Sequence, residues 1–379
     1  MPLANDVELS SILAMVPDPR RVRSTVHALP DLLFVAVCAA IAGCDTWHEV
    51  AAFGNERLDW FRRFVPLKSG VPSHDTFGRV FSLLDTGRFA ACLLRWTQRL
   101  AGSEPGRVVA IDGKTLANSF DDATGRGALH LVSAWAVDSH VVLGQTACLE
   151  KSNEIEAIPR LLEVFDLNGA LVTIDAMGCQ TAIAAKILDV GADYVLAVKR
   201  NQPTLHRELL NAFEAAGDLP AKASGLRTMT TKERRRGGDE EREYQIMPIP
   251  KSMTAAAAFA GAAGIGTVLR RRIEADGSES AELRCFLSSR PANVKEFANA
   301  VRKHWTVENR LHWSLDVTFT EDASRIRKGS APETTALLRR VALSKLRQDT
   351  LATDSLKVRR KRAGWSTDAL ERVLQGIAS

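Results

Sequence analysis

Residues 304–313 read HWTVENRLHW, so His304, Glu308 and His312 recur at four-residue intervals. On an α-helix such residues share a face, one turn above the next. Three arrangements fit that spacing. The trio can be a His–Glu–His metal cradle, a local pairing of Glu308 with either histidine at i±4, or one corner of a catalytic site completed elsewhere. The cradle fits worst, because HExxH is absent and an i, i+4, i+8 trio spreads over about 12 Å of helix axis. On an ideal helix at about 100° per residue, Glu308 points with Phe297, Val301 and Leu315, close to His304 and Trp305. The expectation is therefore a glutamate on the inward, apolar stripe. A carboxylate there is costly unless it is paired, hydrogen-bonded or bound to a cation.

Two further acids stand out by position. VVAIDGKT (108–115) and LVTIDAMG (171–178) each place an aspartate, Asp112 and Asp175, directly after four apolar residues. A carboxylate there stands where a buried strand leaves the core and reaches a cleft at the sheet edge. For either one alone, a turn or a helix cap is the ordinary explanation. Together with Glu308 they make three carboxylates on separate elements, the donor set that Mg²⁺ or Mn²⁺ takes, since such ions prefer hard oxygen and keep several waters. Two ions about 4 Å apart would activate an attacking oxygen and stabilise a leaving one. In that scheme Asp112 bridges both metals and Asp175 and Glu308 flank it.

The elements that must position these acids fall into segments. The chain has 379 residues, long for a single core, with 45% hydrophobic and 25% charged residues, so two or three domains are expected. Residues 1–100 have helical periodicity, with a buried helix at 29–43 and Ser73 or Asp75 capping another. Residues 107–223 give the order βββαβαβ, with a hairpin near Asp138–Ser139, and suit a mixed sheet covered by helices. Residues 224–290 read as a β-rich insertion, 291–350 as returning helices that carry Glu308, and 351–379 as a basic tail containing KVRRKR. The six cysteines are scattered without a CxxC pair, which points to reduced thiols and a cytoplasmic protein. The N-terminus has no secretory pattern, and the 13-residue run LLFVAVCAAIAGC is too short to span a bilayer, so no membrane partner is expected.

Several stretches carry a resemblance: AIDGKTLANS, LEKSNEIEAIPRLLE, TIDAMGCQ, AVKRNQP and, above all, HWTVENRLHWSLDVTFTEDASRIRKGSAPE. Their order and spacing resemble the DDE transposases of bacterial insertion sequences, in particular the H-repeat-associated group. DPRRVR followed by LLFVAVCAAIAGCDTWHEVAAFG resembles the helical domain that precedes the catalytic core there. The resemblance implies an RNase H-like core whose third acid is delivered by a helix after a β-rich insertion. Asp112, Asp175 and Glu308 match the first, second and third acids. Relatives carry a tyrosine, an arginine and a lysine around the glutamate; those positions hold Val301, His304 and Leu315 here. Replacement phosphate contacts are expected from Lys114, His304, Asn309 or Arg310, with Lys114 the best placed, two residues after Asp112.

The balance of 50 basic against 45 acidic residues gives a net charge of +5, which permits a nucleic-acid partner without requiring one. Basic groups recur at Arg20, Arg21 and Arg23, at Arg234–Arg236, at Arg270–Arg272, at Arg325, Arg327 and Lys328, and at Lys357–Arg362. The expected partner is double-stranded DNA, both element terminal inverted repeats and target, gripped by a dimer that is nucleoid-associated when bound. The expected activity is two-metal cleavage and strand transfer. A non-catalytic DNA-binding relative and an RNase H-like nuclease without strand transfer are the alternatives.

Overall fold

The structure is a computed structural model; it describes every residue except 1–5, 22–24, 103, 149–153, 220–223, 236–237, 275, 350–352 and 376–379. Arg23 and Arg236 of the basic runs lie outside the described residues. The first helices are α1 (Asp6–Leu13), α2 (Leu29–Ala42), α3 (Trp47–Glu56), α4 (Leu58–Phe61), α5 (His74–Phe81) and α6 (Thr86–Gln98). Next come β1 (Val108–Thr115), β2 (His130–Ala136), β3 (Val141–Cys148), α7 (Glu154–Leu162), β4 (Leu171–Ile174), α8 (Thr181–Asp189), β5 (Asp193–Val198) and α9 (Pro203–Gly217). Four strands follow, β6 (Arg227–Arg235), β7 (Gly238–Pro248), β8 (Gly264–Glu274) and β9 (Glu279–Ser288), then α10 (Val294–His304). The chain ends in α11 (Trp313–Val317), α12 (Ala331–Gln348), α13 (Leu356–Trp365) and α14 (Thr367–Gln375). The order βββαβαβ over β1–β5 is the one expected. None of the six cysteines is in a disulfide, and among the described residues no single helix is long and apolar enough to cross a membrane.

Two compact units emerge: residues 1–102, 113–153 and 308–379 form one, and residues 103–112 with 154–307 form the other. In the first, α2 is buried along nearly its whole length, as LPDLLFVAVCAAIA dictates, and ends on Gly43 with φ 101°. α3 starts with a capping box between Thr46 and Glu49, and Ser73 caps α5 by accepting from Thr76 N–H. Arg57, at φ −120°, separates α3 from α4. The 18-residue α12 is the central helix, and its buried face includes Arg339, Arg340 and Lys345. Strands β2 and β3 pair antiparallel as the expected hairpin.

The presumed basic tail is a docked structure. Arg360 is buried, bonded to Asp45 Oδ1 at 2.6 Å and Thr318 O at 2.7 Å, with its guanidinium 4.2 Å from the Phe319 ring centroid. Arg359 donates to Asp354 O and Asp349 O, and Arg362 pairs with Asp354 at 2.6 Å. Amphipathic α14, with Leu370, Val373 and Leu374 buried, supplies the apolar face that holds this segment down.

In the second unit β1, β4 and β5 run parallel, β5 pairs antiparallel with β9, and β8, β7 and β6 continue in antiparallel order. Residues 227–288, within the stretch 224–290 read as an insertion, carry four antiparallel strands, and β9 pairs with β5 of the same sheet. Helix α10, capped by Asn293 Oδ1, lays Phe297, Ala300 and Val301 on a core of Leu171, Val195, Tyr244, Ile246 and Phe286. Gly266 on β8 makes that approach possible: a Cβ there would lie 2.5 Å from Phe297 Cζ. Gly266→Ala is expected to destabilise the chain by about 1–3 kcal/mol through overpacking, measured as a lower urea midpoint with an unchanged m-value. An unchanged midpoint would show that α10 does not depend on this contact.

Candidate active site

Strands β1 and β4 pair in the register Ile111↔Ile174, so Asp112 and Asp175 each follow the last paired residue of neighbouring parallel strands. Parallel neighbours lie about 4.8 Å apart, which sets the two aspartates side by side at one level. Both are half-buried. Asp175 Oδ1 accepts Met177 N–H at 3.0 Å and caps the single 3₁₀ turn Ala176–Gly178. Asn201 and Gln202 hold that turn from the next strand end, donating to Ala176 O and Cys179 O at 2.6 and 2.9 Å.

His304 closes the same corner. Its Nδ1 shares a 3.0 Å hydrogen bond with Thr173 Oγ1, one strand residue back on the path to Asp175. Burial pushes its pKa down to about 4; the Asp175 charge opposes that and Arg284 adds to it. The ring is therefore neutral near pH 7 and meets this corner as a hydrogen-bonding group rather than as a cation. Arg284 in turn stacks over Trp305 at 3.6 Å.

Glu308 does not occupy the inward position expected of it. Helix α10 ends at His304, and Val307–His312 forms a π-helical turn. The wider turn takes up extra residues and rotates everything beyond it. Val307 and Leu311 consequently face inward, 1% and 0% exposed, while Glu308, Asn309 and Arg310 are at the surface. Projection at an ideal helical angle fails for that reason. Among the described residues no group of three or more His, Cys, Asp or Glu side chains is gathered closely enough to hold a metal ion. The adjacent pair Asp112 and Asp175, half-buried hard-oxygen donors, suits Mg²⁺ or Mn²⁺.

Lys114 sits two residues beyond Asp112 and is buried, with Nζ 2.8 Å from Asp316, 2.6 Å from Asp322 and 3.6 Å from Glu321. Glu321 is fully enclosed and pairs with Arg340, also fully enclosed, at 2.6 Å; Arg340 Nε donates to Ser133 Oγ. Burial opposes the Lys114 charge, but Glu321, Asp316 and Asp322 outweigh it and hold the ammonium pKa above its ordinary value. Burial raises the Asp316 pKa, with the Lys114 hydrogen bond opposing it. Lys114 is thus committed to three carboxylates of its own unit. Neither Glu321 nor Arg340 stands out in the sequence. The signal was a pair of arginines inside the otherwise apolar helix TALLRRVALSKL.

The other basic candidates divide. Arg310 is exposed and bonded through Nη1 to His140 Nε2 at 2.8 Å. Arg327 donates to Asn118 O at 2.9 Å and lies 3.9 Å from the Phe120 centroid. Arg325, Arg327 and Lys328 line one groove with Arg79 and Arg339, two residues that no basic run contains. Arg20 of the first basic group folds back onto Asp18 and His27 O, and Arg270 pairs with Glu240 at 2.6 Å.

With this geometry in place, comparisons with known proteins identify its class. Residues 103–344 match the family model described as Transposase DDE domain, and residues 10–97 match the DDE_Tnp_1-associated model. The chain belongs to the DDE transposase family. It is 39% identical over 97% of its length to a protein of Escherichia coli O157:H7 named "Putative transposase YncI", of which it covers 94%. It is 34% identical over 97% of its length to "H repeat-associated putative transposase YhhI" of Escherichia coli K12, covering 98% of that chain. Among solved structures, the piggyBac transposase synaptic complex with hairpin DNA aligns with 99% of this chain and 82% of that one, at a TM-score of 0.45 and 10% identity.

Two outcomes are expected. Replacing one member of the buried cluster, as in Glu321→Gln, leaves Lys114 and Arg340 undercompensated and should cost about 3–5 kcal/mol in urea denaturation; a loss below 1 kcal/mol would contradict the cluster's role. The second concerns acid. Burial, the largest cause in each, lowers His140 and His304 to about 4 and His312 to about 3. The unfolded chain takes up those protons below about pH 6.5 and the folded chain does not, so stability falls as pH drops from about 6.5 towards 4. Asp31, Asp316 and Glu333, whose pKa values desolvation pushes upward, work in the opposite sense. His304→Gln should therefore flatten the fall in urea midpoint between pH 7 and pH 5; an equally steep fall would rule His304 out as a contributor.

Proposed function

We propose that this chain cleaves DNA at the ends of an insertion sequence and joins those ends to target DNA, using Asp112, Asp175 and Glu308 as its metal-binding carboxylates. The observation that carries the reading is the register of β1 and β4, which sets Asp112 and Asp175 side by side at neighbouring strand exits. The order of the three acids along a DDE-family chain supports Glu308 as the third.

Bound Mg²⁺ or Mn²⁺ supplies charge neutralisation at the phosphate and a more acidic water. Asp112 and Asp175 hold negative charge at a fixed spacing, with Asp175 oriented by its Met177 N–H bond. Neutral His304 braces the strand end through Thr173 and leaves the acids' charge in place. In the first reaction water attacks phosphorus, the P–O3′ bond breaks, and a 3′-OH and a 5′-phosphate result. In the second that 3′-OH attacks a target phosphodiester, forming one P–O bond as another breaks. The step exchanges one diester for another and needs no external energy source. Since two ends must be joined to one target, a dimer on DNA is the functional assembly.

One observation favours a second reading, a DNA-binding relative without catalysis. Among the described residues the acids do not form a three-carboxylate cluster, and a relative 35% identical over 20% of this chain is named "Inactive transposase YbfQ". Incubation with duplexes from the DNA flanking the coding sequence, with and without Mg²⁺, separates the readings. The expected result is Mg²⁺-dependent nicking and joined products, abolished by Asp112→Asn, Asp175→Asn or Glu308→Gln while DNA binding persists. Cleavage by all three variants would sink the triad. Binding without cleavage by the parent chain would establish the second reading, and cleavage without joined products would reduce the activity to that of a nuclease.

A further inference from the structure

The unit formed by residues 1–102, 113–153 and 308–379 contains a groove of about 790 Å³. Its walls come from the start of α3, from α5 and from the segment Thr320–Lys328, and Arg339 of α12 also lines it. Five cationic side chains face it: Arg79, Arg325, Arg327, Lys328 and Arg339. Two carboxylates do as well: Asp45, which is committed to a guanidinium, and Asp75, which is exposed beside a histidine. Asp45 is paired with Arg360 at 2.6 Å, and Asp75 Oδ1 lies 3.3 Å from His74 Nε2.

Arg339 is the informative residue. It is 5% exposed, yet among the described residues its guanidinium has no hydrogen bond or ion pair. Its neighbour Arg340 is held through Nε and Nη1 by Glu321, Ser133 and Ala336 O, with only Nη2 left without a hydrogen bond. A buried guanidinium with five donors and no acceptor is costly, and an anion in the groove would remove that cost. Arg79, Arg325 and Lys328 at the rim are exposed and likewise have no ion pair among the described residues.

The rim is also held in place. Arg126 donates to Gly329 O at 2.7 Å and to Arg327 O, while Arg327 is fixed by Asn118 O and the Phe120 ring. Gly329, at φ 53°, lies so close to α5's end that a Cβ would meet Ser82 O at 2.3 Å. Only glycine lets the basic segment lie against that helix. The aromatic ring in the groove, Trp47, already stacks on Phe77 and Phe81 and is not available to a base. His48 and His74 stack on each other at 3.6 Å, offering polar ring edges rather than a platform.

We propose that this groove seats the phosphodiester backbone of DNA, with Arg339 receiving a phosphate at its floor and Arg79, Arg325 and Lys328 contacting phosphates at its rim. The proposal rests on the reading that the chain acts on DNA, and adds where the backbone is gripped and that the grip is independent of sequence. Forked guanidinium donors suit phosphate oxygens, and an interface without base contacts gives affinity and salt dependence without readout.

The test is fluorescence anisotropy of the full chain on duplexes of two unrelated sequences, titrated between 50 and 200 mM salt. Each lost phosphate contact lowers the slope of log K against log salt by about 0.9, so Arg79→Ala/Arg325→Ala/Lys328→Ala together should lower it by about 2.7, equally for both sequences. Lys251→Ala/Lys295→Ala, outside the groove, should leave the slope unchanged. Arg339→Lys, which keeps the charge and loses the fork, should weaken binding at an unchanged melting temperature. Parental affinity and slope in the triple variant would overturn the groove while leaving the DNA reading intact. A parent chain that binds neither duplex would overturn both.

Discussion

Two buried cations facing three carboxylates are the constraint on which the rest of this molecule depends. Lys114 and Arg340 share Glu321, and Lys114 also takes Asp316 and Asp322. None of these charges is tolerable away from water alone, so the cluster forms whole or not at all. It ties the end of β1 to the turn Glu321–Ala323, to α11 and to α12, segments about two hundred residues from Lys114 in sequence. Buried ion pairs add little net stability; their consequence here is geometric. Side chains alternate along a strand, so Asp112 and Lys114 project from the same face of β1. Lys114 is thereby held to the segments that carry Asp316, Glu321 and Asp322.

Much of this was legible in the sequence, and the failures have identifiable causes. Apolar runs ended by Asp112 and Asp175 mark strand exits, because a carboxylate after four core residues has one place to go. Their equal level follows from the parallel ladder, which pairs Val108 with Leu171 and Ile111 with Ile174. Glu308 was misplaced because a periodic projection assumes an unbroken α-helix. The sign of it lay in the apolar residues themselves: Phe297, Val301 and Trp305 keep a four-residue step, but Val307 comes only two further on, and Leu311 and Leu315 resume the four-residue step from there. That phase slip is the π turn. The cluster around Glu321 was hard to read for another reason: its members are distant in sequence, and only the arginine pair within α12 marks it.

Counting basic runs was a poor guide to free positive charge. Arg20 is spent on Asp18, Arg270 on Glu240, and Arg359, Arg360 and Arg362 on the elements they dock against. The residues left unpaired include Arg79, alone within α5, and Arg339, inside a buried helix. A cation's availability is set by what the fold brings opposite it, and a run of like charges says nothing about that. The basic segment 325–328 survives because its carboxylate neighbours Glu321 and Asp322 already answer to Lys114 and Arg340.

The acids sort by the same logic into two classes. Glu321 is fully enclosed and paired with Arg340 and Lys114. Asp112 and Asp175 are half-buried at strand exits, and Glu308 is at the surface. A permanently neutralised carboxylate cannot serve a divalent ion, because binding would require breaking a buried pair at a cost of several kcal/mol. Acids that keep access to water can exchange solvent for metal at little cost, and the fold can carry them empty. The exposure of Glu308 removes the inward, apolar setting for which it was first singled out; under the proposed function an Mg²⁺ ligand has to stay within reach of water, because the ion keeps much of its own.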